Sequence, residues 1–433
     1  MILKNKKLLL LGGSRNMREI LDVAHEMGAL VGVTDWYDSK RSPMKTMADE
    51  SFDISIEDYD SMLDIIKSHS YDGIFTGFTD SYLLPYAEIC KRSGLPCYGK
   101  PEQFEILTNK SSYKDLFRQY GVPALPDYRE ADIDRNFSAY PLLLKPDKGS
   151  GGKGLIQIND YTEYRAALSA CQENNCHDYL IEPYIEERQE MTAFFLFLDG
   201  EIYLSGTANR FLSQAQGDKI ALPVLYSMPS SYDAAFREKT APPMMEMFKD
   251  LELQDGILFA QCIVLDNIPL VYDIGYRTTG TLEYKLQESL YGFNPLKIMV
   301  YHSLTGENPL PDYKFIDENI RQNQRYGFNV TILGKAGTIS SIEGAAEILA
   351  LPQVIDCVFK MLPAETIRAS MIGTLGQIIA RIFFTTDSIA EAIEVLEEIY
   401  QLIHVYDQKG EDMILHRFSP ELLREEYSKR DWS

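Results

Sequence analysis

The sequence predicts a protein of α/β and α+β class in three parts, on three observations. Residues 1–100 alternate short apolar runs with helical patterns, the span from about Tyr140 to Tyr284 is dominated by strands, and the chain from about Gly327 returns to mixed helix and strand. A length of 433 residues suits about three domains. Hydrophobic residues make up 45% and charged residues 24%, an ordinary globular balance that builds several cores without disulfide or metal staples.

The elements follow in order. Leu8–Leu11 reads as a first strand, Gly12-Gly13-Ser14 as a turn, and Asn16 to Met27 as a helix. A second strand ends at Asp35. Ile56, Tyr59, Leu63 and Ile66 recur at helical spacing, and Gly73-Ile74-Phe75-Thr76 reads as a third strand. Strand–helix–strand alternation of this kind builds a Rossmann-like open parallel sheet, whose strand ends form a crevice for small ligands. After Gly99-Lys100-Pro101 a helical stretch runs to Gly121-Val122-Pro123, a helix-stop signature. The runs PLLLKP, GLIQI, YLIEPY, MTAFFLFL, EIYLSG, ILFAQCIVL and PLVYDIG are strands. Near the C-terminus Ser388 and Glu391 form a capping box for a helix with Ile389, Ile393, Leu396, Ile399 and Ile403 on one face. His25, His69, His302 and His404 fall in helical patterns, and the charged tail after Gly410 reads as a surface helix or frayed end.

Charge excludes some functions. The formal net charge is −22, which argues against a nucleic-acid binder and against a polybasic membrane anchor. No uncharged apolar stretch approaches the ~20 residues that span a bilayer. Six scattered cysteines fit reduced thiols, and the expected compartment is cytoplasmic.

The strongest local signal is Lys145-Pro146-Asp147-Lys148-Gly149-Ser150-Gly151-Gly152-Lys153-Gly154. Gly149 to Gly154 matches G-x-G-x-x-G, yet it joins a strand to a strand, so the dinucleotide motif is rejected. It is no P-loop, because Lys153 precedes Gly154 and no helix follows. A glycine-rich hairpin between strands lets backbone N–H groups converge on a polyphosphate, and Lys145, Lys148 and Lys153 add positive charge.

With this loop and the strands after it, the chain resembles the ATP-grasp superfamily over roughly residues 100–285, most of all its carbamoyl-phosphate-synthase-like and carboxylate–amine ligase branches. The resemblance implies ATP held between two lobes, and a plan of three domains. These are a Rossmann-like domain preceding the ATP-grasp domain (1–100), the two-lobed ATP-grasp domain itself (101–310), and a C-terminal mixed α/β accessory domain (311–433). It further implies that Lys110 and Lys145 contact ATP and that Lys148, Gly149, Ser150, Gly151, Gly152 and Lys153 close over the phosphates. Glu182 then faces the adenine amino group, Tyr184 and Ile185 offer backbone contacts, and Glu190 holds the ribose hydroxyls. Gln261 and Asp273, twelve positions apart, suit two hairpin strands presenting both side chains on one face, as ligands of Mg²⁺ (or Mn²⁺). Arg277 matches the arginine that steadies the transferred phosphate. Arg210 is a candidate for the carboxylate or the γ-phosphate.

There are two departures from the family pattern. Asp273 stands where the family has Glu, and Gly275 stands where Asn provides a second metal ligand. Thr278 to Thr281 either lines the acceptor pocket or forms a hydroxyl-rich turn. The implied reaction is ATP-dependent ligation of a small-molecule carboxylate to an amine through an acylphosphate, by a homodimer. Two other readings stay open here: phosphorylation of an acceptor alone, and nucleotide binding at a decayed metal site.

Overall fold

The computed structural model describes residues 3–147, 154–173, 179–186, 188–214, 221–310 and 313–428. Lys7–Leu11 is a central strand because its four successive leucines are fully buried, as a strand covered on both faces requires. It pairs in parallel with Leu30–Thr34 on one side and Gly73–Thr76 on the other, and a short strand, Glu50–Phe52, lies at the edge beyond Leu30–Thr34. Helices Arg18–Met27, Tyr59–Ser68 and Leu83–Ser93 belong to the same part of the chain.

The next helical stretch is two helices, Pro101–Thr108 and Lys110–Tyr120. Asn109 makes the break, its side chain accepting from Ser112 N at 2.8 Å to cap the second helix. Gly121, with φ of 68°, ends that helix in the left-handed region that glycine adopts freely.

Two antiparallel sheets follow. The small one orders Ile156–Ile158, Leu142–Pro146 and Tyr179–Pro183, with helix Tyr161–Glu173 packed through Tyr164 and Leu168 against Leu142, Leu144 and Ile181. The large one has eight strands in the order Ile268–Gly275, Gly256–Leu265, Gln189–Leu198, Glu201–Leu212, Pro223–Met228, Tyr326–Leu333, Ile378–Thr386 and Val354–Phe359. Its last three strands come from beyond residue 310. Strand Pro223–Met228, buried throughout, is the seam between them and the rest.

The capped helix spans Ile389–Leu402. Ser388 Oγ accepts from Glu391 N at 3.2 Å, while the Glu391 carboxylate reaches Asp387 N at 3.0 Å, one residue before the expected partner. The helix ends at Leu402, so His404 opens a strand, His404–Asp407, and is not helical. The tail does carry a surface helix, exposed at Glu421, Leu422, Arg424, Glu425 and Ser428 and anchored by its other face. Helix Pro420–Ser428 buries Leu423, Glu426 and Tyr427, and the Tyr427 hydroxyl lies 2.8 Å from Ser227 Oγ and donates to Pro229 O at 2.9 Å. Among the described residues no helix is long and apolar enough to cross a membrane.

Candidate functional site

The small sheet aims the first charged group. Lys145 pairs with Leu180, and Leu143 with Glu182, so Lys145 and Glu182 lie diagonally on one face. The Glu182 carboxylate, fully buried, pairs with Lys145 Nζ and with Lys114 Nζ, the latter at 2.5 Å. Lys114 lies one helical turn after Lys110, which puts the two lysines on one face of the helix. Burial pushes the Lys114 pKa down, against the pull of Glu182. Lys114 was absent from the sequence reading, although its spacing from Lys110 carried the signal.

Lys110 Nζ donates to the Asp147 carbonyl at 3.1 Å. The Asp147 carboxylate accepts from Asn109 Nδ2 at 2.6 Å, Ser111 N at 2.8 Å and Ser111 Oγ at 3.0 Å. The residue that leads into the glycine-rich loop is thus fastened to the start of the lysine-bearing helix. Lys148, Gly149, Ser150, Gly151, Gly152 and Lys153 lie outside the described residues.

Beyond the small sheet, Tyr184 N donates to Pro141 O at 2.8 Å, and the Ile185 carbonyl accepts from Arg188 NH1 at 2.7 Å. Glu190 sits directly across the strands from Arg210. Its two oxygens pair with Arg188 Nε at 2.6 Å and Arg210 NH1 at 2.7 Å, and the Tyr272 hydroxyl is 3.1 Å away. Burial works to raise the Glu190 pKa, but the two guanidinium groups outweigh it and hold the carboxylate below its ordinary value. Arg210 also donates to the Tyr272 hydroxyl, which in turn reaches Gln261 Oε1 at 3.1 Å.

Gln261 and Asp273 face one another in the antiparallel register, with a bulge just after Gln261. Asp273 Oδ1 accepts from the Tyr113 hydroxyl at 3.0 Å. Desolvation pushes the Asp273 carboxyl above its ordinary range, countered by the charges of Lys110 and Lys145. Lys145 Nζ lies 4.9 Å from the centre of the Tyr272 ring, so the lysines, Gln261 and Asp273 share one locality.

The register also explains Gly275. It lies opposite Phe259, and a Cβ placed there would run into the Phe259 ring. No side chain fits at 275 while that ring keeps its place. Among the described residues no three His, Cys, Asp or Glu side chains converge as a metal set. One carboxylate and one carboxamide oxygen fit a Mg²⁺ ion that completes its shell with phosphate oxygens and water.

Arg277 is held by the N-terminal part. Its Nε and NH2 meet Asp80 Oδ1 and Oδ2 at 2.6 and 2.8 Å, a bidentate pair just after strand Gly73–Thr76, and NH1 donates to Thr278 O at 3.0 Å. The hydroxyl run that follows is turned inward. Thr279 and Thr281 both donate to Glu283 Oε2, the latter at 2.6 Å. Asp80, Tyr272, Arg188 and Glu283 contact these candidate residues, and the sequence alone did not single them out.

No family model matches the chain. By sequence it is similar to phosphoribosylamine–glycine ligase of Streptococcus pneumoniae, 24% identical over 246 residues, 53% of this chain and 59% of the relative. It is also similar to the mitochondrial methylcrotonoyl-CoA carboxylase subunit alpha of Oryza sativa, 28% identical over 115 residues, 24% of this chain and 16% of the relative. The chain thus spans less than two thirds of the length of these relatives. Among solved structures, L-amino acid ligase from Bacillus licheniformis superposes with a TM-score of 0.73 at 17% identity, over 94% of this chain and 99% of the other. The biotin carboxylase domain dimer of Hydrogenobacter thermophilus 2-oxoglutarate carboxylase, in complex with MgADP and bicarbonate, gives 0.72 at 17% identity over 92% and 90%. The relatives by sequence and the neighbours by fold are ATP-grasp ligases, and over nearly its whole length the chain shares the fold of those neighbours.

Proposed function

We propose that this chain is an ATP-dependent carboxylate–amine ligase working through an acylphosphate and releasing ADP and phosphate. The observation that carries the reading is the convergence of Lys110 and Lys145 on the Gln261–Asp273 strand pair. Cations beside a hard-oxygen pair are what a polyphosphate with its metal requires, and phosphoryl transfer needs positioning and charge neutralisation rather than a protein nucleophile.

In this reading Lys110, Lys145 and the loop from Lys148 to Lys153 hold the phosphates. Glu182 sets the position of Lys145, with its oxygens open to the adenine end only when a lysine lets go. Tyr184 and Ile185 line the adenine side, and Glu190 exchanges an arginine for the ribose hydroxyls. Asp273 and Gln261 would hold Mg²⁺, which supplies charge neutralisation at the phosphates. The Phe259 ring opposite Gly275 favours one well-held ion over two. Arg277, fixed by Asp80, faces the group in transfer, and Arg210 keeps the Glu190 network in register. We assign residues 1–100 to a Rossmann-like domain, 101–310 to the ATP-grasp domain and 311–433 to an accessory domain joined through the common sheet. A homodimer is the proposed assembly, as in the dimeric biotin carboxylase domain.

The test is Mg²⁺-dependent ADP release across carboxylates crossed with amines, with Lys145→Ala as the blank. Release that requires one member of each set is the expected result. Release with one acceptor alone would make the protein a kinase-like ATP-grasp enzyme. Nucleotide binding without release in any well would overturn catalysis.

A further inference from the structure

Arg381 lies in the middle of strand Ile378–Thr386 and is only 3% exposed. Its NH1 donates to Thr331 Oγ1 at 2.8 Å and lies 3.4 Å from Asn329 Oδ1, and the guanidinium sits over the Tyr226 ring at 5.7 Å. All of these partners are neutral. Among the described residues its Nε has no hydrogen-bond partner, and no carboxylate comes within ion-pair distance of it. That sets it apart from Arg188, Arg210 and Arg277, each of which is buried against a carboxylate. Arginine stays charged in proteins, and a buried charge without a counter-charge is costly.

Glu283 is the complementary case. It is 7% exposed and accepts from the Thr279 and Thr281 hydroxyls, with no ion pair among the described residues. Asn329 connects the two groups, its Oδ1 facing Arg381 and its Nδ2 donating to Thr281 O at 2.8 Å. The two charges act on each other without touching, and burial keeps the Glu283 carboxyl above its ordinary value despite Arg381. Half-buried Lys360 lies near this pair, its Nζ donating to the neutral Asn16 Oδ1 at 2.7 Å. The segment that carries Glu283 begins at Arg277, so of the two groups Glu283 is the one joined along the chain to Arg277.

We infer that Arg381 and Glu283 form a receiving site for an α-amino acid, the guanidinium taking its carboxylate as a fork and Glu283 its ammonium. The inference rests on the ligase reading, in which this amino acid is the amine partner. One zwitterion supplies the counter-charge that each of the two side chains lacks, and it turns the nitrogen toward Arg277 with the carboxylate away from the group being activated.

The test is direct binding by equilibrium dialysis, without ATP, of the twenty proteinogenic L-amino acids to the full chain. Each binder is then compared with its α-amide and with the acid that lacks the amine. We expect at least one amino acid to bind, each analogue to bind at least about tenfold more weakly, and Arg381→Met to lose about ten- to a hundredfold in affinity. Arg381→Lys, which keeps the charge without the fork, falls between. If Arg381→Met does not fold, the analogue series on the unaltered protein decides alone. No binding by any amino acid, equal binding of either analogue, or undiminished binding by folded Arg381→Met would overturn the site. Binding as expected with no ADP release for any carboxylate–amine pair would sink the ligase reading and keep the site. Amine-dependent release indifferent to the amine's own carboxylate would do the reverse.

Discussion

The two ends of the site treat buried charge in opposite ways. At the nucleotide end, Glu182 is shared by Lys114 and Lys145, Glu190 by Arg188 and Arg210, and each cation has its counter-charge within the protein. At the other end Arg381 and Glu283 are buried among neutral partners. Groups of the first kind are rigid before ligand arrives and must trade one partner for another. Groups of the second kind are left short of a counter-charge, which a ligand brings. The first arrangement supports stability as well as binding, and the second sacrifices stability for recognition.

That contrast can be broken in four ways. Glu182→Gln strands two buried ammonium groups, so it should destabilise the fold by about 3–5 kcal/mol, read from denaturant midpoints. A loss below ~1 kcal/mol would mean that the lysines are not held as described. Lys145→Ala should weaken ATP use by about ten- to a hundredfold, the worth of one charge-assisted contact to phosphate, with unchanged circular dichroism as the control. ATP affinity and turnover both equal to the unaltered protein would remove Lys145 from the phosphate site.

The third way uses pH. Because the folded value of Glu190 lies below its ordinary 4.5, its contribution is fully present above that value and is lost as pH falls through the folded value. The stability gap between the unaltered protein and Glu190→Gln should therefore close on acidification, and a gap independent of pH would contradict the arginine clamp. The smallest effect belongs to the other end. Arg381→Met removes a charge that has no ion-pair partner, so stability should stay within about 1 kcal/mol or rise. A loss as large as that of Glu182→Gln would erase the difference between the two ends.

Much of this was legible in the sequence where the signal is local. The leucine run of the first strand, the Ser388 cap and the hairpin interval from Gln261 to Asp273 each lie within a few turns of chain. The strand and the hairpin formed as read, and the capping box formed with Glu391 turned to Asp387 N. Strand Pro223–Met228 escaped because proline at its start and after its end reads as loop, while burial on both faces makes it a strand. The site residues that escaped are tertiary. Asp80 meets Arg277 across 197 positions of chain, and Asn329 reaches Thr281 across 48. No spacing rule reports such pairs, since only the packing of three segments creates them. Phe259 was visible in the sequence, but its conflict with a side chain at 275 is a matter of register.

The central claim is that a carboxylate oxygen attacks the γ-phosphorus and later leaves on phosphate when the amine takes its place. The measurement that tests it most directly uses the pair identified by the ADP-release matrix, with the carboxylate labelled in ¹⁸O and the released phosphate analysed by mass. The acylphosphate route transfers one labelled oxygen to each phosphate as the new C–N bond forms. Phosphate free of label, alongside a full yield of ADP and ligated product, would contradict it.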